Sequence, residues 1–493
     1  MINVIDGLII AGYLAATVAV GIACRGSQRD IDDYFAVGRG MRGRLATFFV
    51  GVSIAPISGL SLLAIPSIFY QHGWKYLVVL PTLPLLWYGL HRWYFPRLFA
   101  GSVRHAYDLV EAHFGPRVRT AASVMFVALR IGWMAALVYA PTLVVLTLLG
   151  LDQSWFWPVT LTVGCCCTVY AVFGGLRGVI VTDALQTLVM MAGIAFVVGF
   201  IALRSPVPVG PALAELTRSG RLPVADFSAG LAAPFTFWAI LLGWIVTNGY
   251  NYTADQMAMQ RFLATGSAGG ASRSFAINMA GTAVTLLLLC GIGVLLAVWY
   301  AHHRDPGLPA AADRVMPYFV ARELPPGISG LLLASILAGT MSAMTSGINT
   351  LAGSLTNDFL VRFGRPRPPA ELLRFARWSS GAIGAAATLV AGAVHRLGTL
   401  FEIQLRILST FQGPLLAVVT LLLLQVRVRP APLIAGLVAG VAAGTAVTFS
   451  GVDPQWVGPA AWLVTLGAAA GLERLAPRGV AGGAGAGNGR DSA

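Results

Sequence analysis

Charge is what this sequence has least of. Only 11% of its 493 residues are Asp, Glu, Lys or Arg, against roughly 25% in a soluble domain. An ordinary water-soluble globular fold is thereby excluded, and the 57% hydrophobic content with mean hydropathy +0.75 points to a membrane protein with many spans. Cysteine is scarce too. Cys24, Cys165, Cys166, Cys167 and Cys290 lie within or at the ends of apolar runs without CxxC or Cys/His spacing, so neither a disulfide framework nor a metal site is expected. The seven histidines sit mostly in loops or at helix ends. A membrane-embedded acyl or glycosyl transferase would need a His/Asp pair or metal cluster at membrane depth, and the pattern argues against it. A sensor or channel is a further alternative, but a sensor would carry a signalling module, and no soluble module is legible. The N-terminus has no basic n-region or small-residue cleavage site, so the first apolar run is expected to stay as an anchor.

What is present is a succession of apolar runs. Runs of spanning length fall near 3–24, 45–70, 74–97, 120–150, 154–173, 178–203, 234–258, 271–300, 327–355, 375–395, 398–425, 431–450 and 455–475, roughly 13 helices by the ~20-residue criterion. The net charge of +13 is carried by arginines in the short connections. Arg25 to Arg44 follow the first run, Arg92 to Arg119 the third, Arg177 the fifth, Arg261 and Arg273 the seventh, Arg362 to Arg377 the ninth, and Arg427 and Arg429 the eleventh. Basic odd-numbered connections predict an N-terminus outside and a C-terminus in the cytoplasm, and they explain the charge better than nucleic acid does. The Gly/Ala-rich tail, 477–493, is expected to be disordered.

Several of these runs are interrupted by polar or helix-breaking residues. Residues 46–70 read ATFFVGVSIAPISGLSLLAIPSIFY. At Pro56-Ile57-Ser58-Gly59 an unbroken helix cannot be held, because proline lacks the donor and glycine loosens the backbone. A broken membrane helix bearing Ser58 and Ser61 either lines a binding cavity or is a packing kink. In YAVFGGLRGVIVTDALQ (170–186), Gly174-Gly175 predicts a tight turn with Asp183 one turn inside the next helix. A carboxylate there costs roughly 2.5 kcal/mol or more unless it meets a cation or water, or sits at the interface near the helix dipole. In WIVTNGYNYTADQMAMQRFLA (244–264), Asn248, Asn251, Thr253, Asp255 and Gln256 crowd one half of a spanning helix, and Gly249 is the expected second break. In SILAGTMSAMTSGINTLAGSLTNDF (335–359), Ser342, Thr345, Ser346 and Asn349 recur at helical spacing. This stripe reads either as oxygen ligands for an alkali cation or as a small-residue packing face (Ala338, Gly339, Ala343, Gly347) with self-satisfied hydroxyls. Arg130, well inside the fourth run, must pair internally, reach the interface or meet a substrate carboxylate. Glu402 and Arg406, four apart, read as a structural ion pair.

In this order the motifs DYFAVGRGM (33–41), GGLRGVIVTDALQ, DQMAMQRFLA, MSAMTSGINTLAGSLTND and GPLLAVV (413–419) resemble the sodium/solute symporter family. SGLSLLAIPSIFYQHGWKYL and VYAPTL (138–143) are most similar to its monocarboxylate, vitamin and iodide branch. The resemblance covers roughly residues 30–425. It implies an all-α polytopic fold with an inverted five-plus-five repeat, core repeats at about 45–203 and 234–425, and peripheral helices 3–24, 431–450 and 455–475, within a single transporter domain 1–476. The second and seventh helices would be the broken ones. It also implies a sodium site from the carbonyls near Ile54, Ile57 and Gly339 with the Ser342 side chain, and a further sodium position or path at Asp183, Ser342, Thr345 and Ser346. Two positions depart from the family: Ala343 stands where a second hydroxyl is usual, and Pro56 where a polar residue is common. The solute cavity would be lined by Ser58, Ser61, Asn248, Asn251 and Gln404, with Arg130 as an added candidate. The expected protein is therefore an integral plasma (inner) membrane symporter, not an enzyme. It would take up a small anionic organic solute with sodium as coupling ion, no other cofactor and no nucleic-acid partner. Proton coupling through Asp183 or Asp255 is the alternative that Ala343 keeps open.

Overall fold

A computed structural model describes residues 3–23, 47–48, 50–51, 59–100, 106–303, 305–356, 360, 368–394 and 397–475. Among these the regular structure is entirely helical. The principal helices are α1 Val4–Ala23, α2 Gly59–His72, α3 Thr82–Gly89, α4 Phe95–Phe99, α5 Ala106–Phe114, α6 Pro116–Leu149, α7 Phe156–Arg204, α8 Val209–Arg218 and α9 Phe237–Thr253. They continue with α10 Gln256–Ala264, α11 Ala268–His302, α12 Ala312–Glu323, α13 Ile328–Ser354, α14 Pro369–Val394, α15 Leu400–Leu423, α16 Pro430–Phe449 and α17 Val457–Leu475. Among the described residues five helices are long and apolar enough to cross a bilayer, Pro116–Thr147, Ala268–His302, Ile328–Ser354, Leu400–Leu423 and Pro430–Phe449.

Three expectations change in detail. The expected third span, 74–97, is not one α-helix. A 3₁₀ segment Gly73–Val79 leads into α3, and a π-turn Leu90–Tyr94 joins α3 to α4. No turn forms at Gly174-Gly175, because α7 runs as helix through all 49 residues of Phe156–Arg204. At 1.5 Å per residue that is about 73 Å, so α7 takes in two of the expected runs. A glycine pair costs an interior helix only about 2 kcal/mol, too little to force a turn where both sides are strongly helical. Finally, α9 passes straight through Gly249, and the interruption falls at Ala254–Asp255. Gly249 is spent on packing, since a methyl there would stand 3.2 Å from Leu416 of α15. The interruption follows from capping: the Asp255 carboxylate accepts from the Met257 amide at 2.8 Å and starts a new helix.

Small residues set how closely the helices approach. On α7 and α14 the contact is reciprocal: a methyl at Gly164 would overlap the Thr388 hydroxyl, and one at Gly384 would overlap that of Thr168. Each helix thus offers a Gly-x-x-x-Thr notch and peg to the other, the close-packing device expected of membrane helices.

Candidate functional site

The site begins where α2 starts. Gly59 lies against α13 so tightly that a methyl on it would overlap the Thr340 hydroxyl and stand 2.5 Å from the Ile336 carbonyl. Three residues further along α13 is Gly339, where an added methyl would lie 3.8 Å from the Gly59 amide and against Met190 of α7. The small residues of the 335–359 stretch therefore do admit a second backbone, as expected. Along the same helix Thr345, Ser346 and Asn349 are buried. Thr345 donates its hydroxyl to the Met341 carbonyl of its own helix at 2.9 Å, leaving its oxygen lone pairs facing the interior. Of the remaining ion-site candidates, Ile54 and Ile57 lie outside the described residues, as does Ser58 of the solute cavity. Asp183 and Ser342 fall on the helical backbone of α7 and α13, their side chains outside the description.

Around the second break the polar residues find partners. Asn251 accepts from Gln412 of α15 at 3.1 Å, while Asn248 donates to the Trp244 carbonyl of its own helix at 3.1 Å. Ser61 and Gln404 are half-buried on α2 and α15. Gln412, two turns beyond Gln404, is the residue the sequence reading missed. It stands as a polar residue in an apolar run, and the structure leaves it only 1% exposed. A second polar row was also missed, on α11. Ser274 donates to the Thr47 carbonyl at 2.8 Å and Asn278 to the Gly51 carbonyl, so α11 holds the stretch that precedes residues 52–58.

Arg130 resolves to internal pairing. Its guanidinium meets the Asp255 carboxylate, with both side chains almost fully buried. It also lies 5.3 Å from the Phe126 ring centre and 4.9 Å from that of Trp133. The pair joins α6 to the start of α10, so Arg130 is engaged by Asp255 and not by a solute carboxylate. The Glu402–Arg406 ion pair does not form. Glu402 instead completes a capping box with Thr399 at the start of α15, and Arg406 donates to the Thr448 carbonyl at 3.4 Å.

Aromatic rings pack together where α2 ends. His72, at the end of α2, stacks on Phe235 at 4.1 Å, and Phe235 in turn stacks on Phe401 at 5.7 Å. Tyr76 meets Phe401 edge-on at 5.6 Å. Phe235 is held there in a left-handed conformation, φ 54°, by its amide donating to buried Asp453 at 2.9 Å. Burial, reinforced by Lys75, pushes the His72 imidazole down to about 4. With the folded value below the ordinary 6.5, the unfolded chain binds the proton more tightly. His72 should therefore cost stability as pH falls from 6.5 toward 4. Melting curves of purified protein should lose midpoint over that window, and His72→Phe should flatten the loss. An unchanged slope in that variant would reject the assignment.

Comparison with known proteins agrees with this architecture. A family model described as the sodium:solute symporter family matches residues 34–440. The sodium/sialic acid symporter SiaT of Proteus mirabilis (strain HI4320) is 28% identical over 378 residues, covering 74% of this chain and 73% of the relative. Human sodium-coupled monocarboxylate transporter 1 is 28% identical over 448 residues, covering 89% of this chain and 72% of the relative. A solved structure of a Na+-coupled sialic acid symporter, in a substrate-bound outward-open state, shares the fold with a TM-score of 0.82. Its sequence identity is 23%, over 96% of this chain and 98% of that one. With most of its length matched by the family model and relatives that are sodium-coupled transporters rather than enzymes, this chain belongs to the sodium:solute symporter family.

Proposed function

We propose that the protein couples inward sodium flow to uptake of a small anionic organic solute by alternating access. The observation that carries the reading is the seating of Gly59 on the α13 backbone beside Gly339. That contact brings the start of α2 to the stretch where Ser342, Thr345 and Ser346 follow within two turns. Sodium would sit between the two elements, taking the carbonyls of Ile54, Ile57 and Gly339 and the Ser342 hydroxyl. Asp183, Thr345 and Ser346 would form a second position or a path of release. Hard oxygen donors of this kind suit a small alkali cation. The solute would lie between the two interrupted helices against Ser58, Ser61, Asn248, Asn251 and Gln404, and sodium, by fixing α2 against α13, would order that cavity. Reciprocal linkage then requires solute to tighten sodium binding.

The reciprocal Gly-x-x-x-Thr contact supports the inverted repeat, because α14 and the first part of α7 are the fourth helices of the two expected halves. The arginine-rich odd connections support an N-terminus outside and a C-terminus in the cytoplasm of the plasma (inner) membrane. Ala343 favours a second reading, proton coupling through Asp183. Asp255 is less suited to that role, since it is committed to Arg130 and to capping α10.

Tryptophan fluorescence titrated with NaCl against matched choline chloride separates the two. Trp133 against Arg130 and Trp244 one turn before Asn248 are the reporters. A saturable sodium-specific change, lost in Ser342→Ala and Asp183→Asn, is expected. A response to pH alone that disappears in Asp183→Asn would replace sodium by protons.

A further inference from the structure

In the connection between α8 and α9, residues 219–236, the stretch from Val224 to Leu231 leaves large apolar side chains exposed while Asp226 is engaged by the protein. Asp226 faces the protein, where Lys75 donates to it at 3.0 Å, the Ser228 amide at 3.0 Å, and its carbonyl receives the Phe237 amide at 2.7 Å. The neighbouring Phe227 is 66% exposed, Val224 62% and Leu231 55%. A cluster of exposed large apolar side chains marks a surface with a partner.

Continuity identifies that partner. The Phe227 ring lies 5.0 Å from the Phe237 ring, and Phe237 meets Trp238 edge-on at 5.0 Å. From Trp238 the exposed residues of α9 continue to Leu242 and Ile245, at spacings of four and three, along one face of a helix in a membrane transporter. That face is apolar, and as part of the expected seventh span it would meet acyl chains. The loop's apolar edge extends it through the Phe227, Phe237 and Trp238 rings, and the amphipathic indole of Trp238 is of the kind that favours the membrane boundary.

We propose that residues 224–231 are an in-plane membrane anchor, seated in the headgroup–acyl boundary with phospholipid as partner. The anchor has a mechanical consequence. The same connection carries Phe235, the middle ring of the His72–Phe235–Phe401 stack, and the Leu231 carbonyl receives the Asp453 amide at 3.0 Å. The stack is thereby tethered to the bilayer as well as to the protein.

The test places a nitroxide at Phe227→Cys or Leu231→Cys in a chain whose native cysteines are replaced, reconstituted in phosphatidylcholine nanodiscs. Leu242→Cys serves as the acyl-chain reference and Ser219→Cys as the aqueous one. The expected result is collision with oxygen in excess over a water-soluble nickel chelate, as at Leu242. Nickel accessibility matching Ser219 would overturn the proposal, and so would shielding from both, which would mean a protein covers the patch. If the cysteine-free chain does not fold, the unaltered protein in nanodiscs containing a diazirine-tailed phospholipid answers the same question. Carbene labelling of 224–231 is expected, and its absence while α9 is labelled would overturn the anchor.

Discussion

Arg130→Met alone should cost the folded protein about 3–5 kcal/mol, and Asp255→Asn alone a comparable amount, whereas the two together should restore most of the loss. Taking two charges out of water is expensive, and each is tolerated only through the other. Removing one leaves its partner buried and unpaired. The Phe126 and Trp133 faces, within 5.3 Å of the guanidinium, would offset part of the cost for Arg130 without Asp255, about 1–2 kcal/mol. Asp255→Asn is preferred over leucine because Asp255 also caps α10 through the Met257 amide, and losing that cap would add about 1 kcal/mol of unrelated destabilisation. The check is a double-mutant cycle on denaturation midpoints in one detergent. If the double variant is no more stable than the sum of the singles predicts, the two residues are not energetically coupled and the pair is incidental.

That pair also shows where the sequence stops being legible. An arginine within an apolar run announces that it needs a partner, but a sequence gives depth rather than azimuth. Asp255 lies 125 residues away on another helix. The seventh helix shows a different failure. Its interruption was legible, and its place was assigned to the residue that permits a break, Gly249, rather than to Asp255, whose side chain makes one by capping the next segment. Permission and cause differ, because a membrane helix uses glycine for close packing as readily as for bending. Glu402 repeats the lesson: Thr399-x-x-Glu402 is a capping-box spelling, yet the four-residue spacing to Arg406 drew it into an ion pair. Class and membership were read well because they rest on composition, loop arginines and motif order, which need no knowledge of facing. Gln412 and Asn278 were missed because one polar side chain in a long apolar run carries no periodic signal of its own.

Gly59→Ala should weaken sodium binding by tenfold or more. The β-carbon would overlap the Thr340 hydroxyl and stand 2.5 Å from the Ile336 carbonyl, closer than any real contact. A side-chain hydroxyl can rotate away, but the carbonyl belongs to the α13 backbone and cannot. The start of α2 must therefore move off α13, and overpacking of this kind costs about 1–3 kcal/mol. Because the proposed ion site takes oxygens from both sides of this contact, a shift of a few tenths of an ångström spoils it. Thr340→Ala in the same chain removes the hydroxyl and leaves the carbonyl, so it should return only part of the affinity. Gly467→Ala on α17, which has open space around the added carbon, should leave sodium binding unchanged. Direct binding of radioactive sodium to purified protein, compared at matched ellipticity, is the measurement. Wild-type affinity in Gly59→Ala would separate the ion site from this helix contact, and the sodium position would then have to be sought elsewhere in the fold.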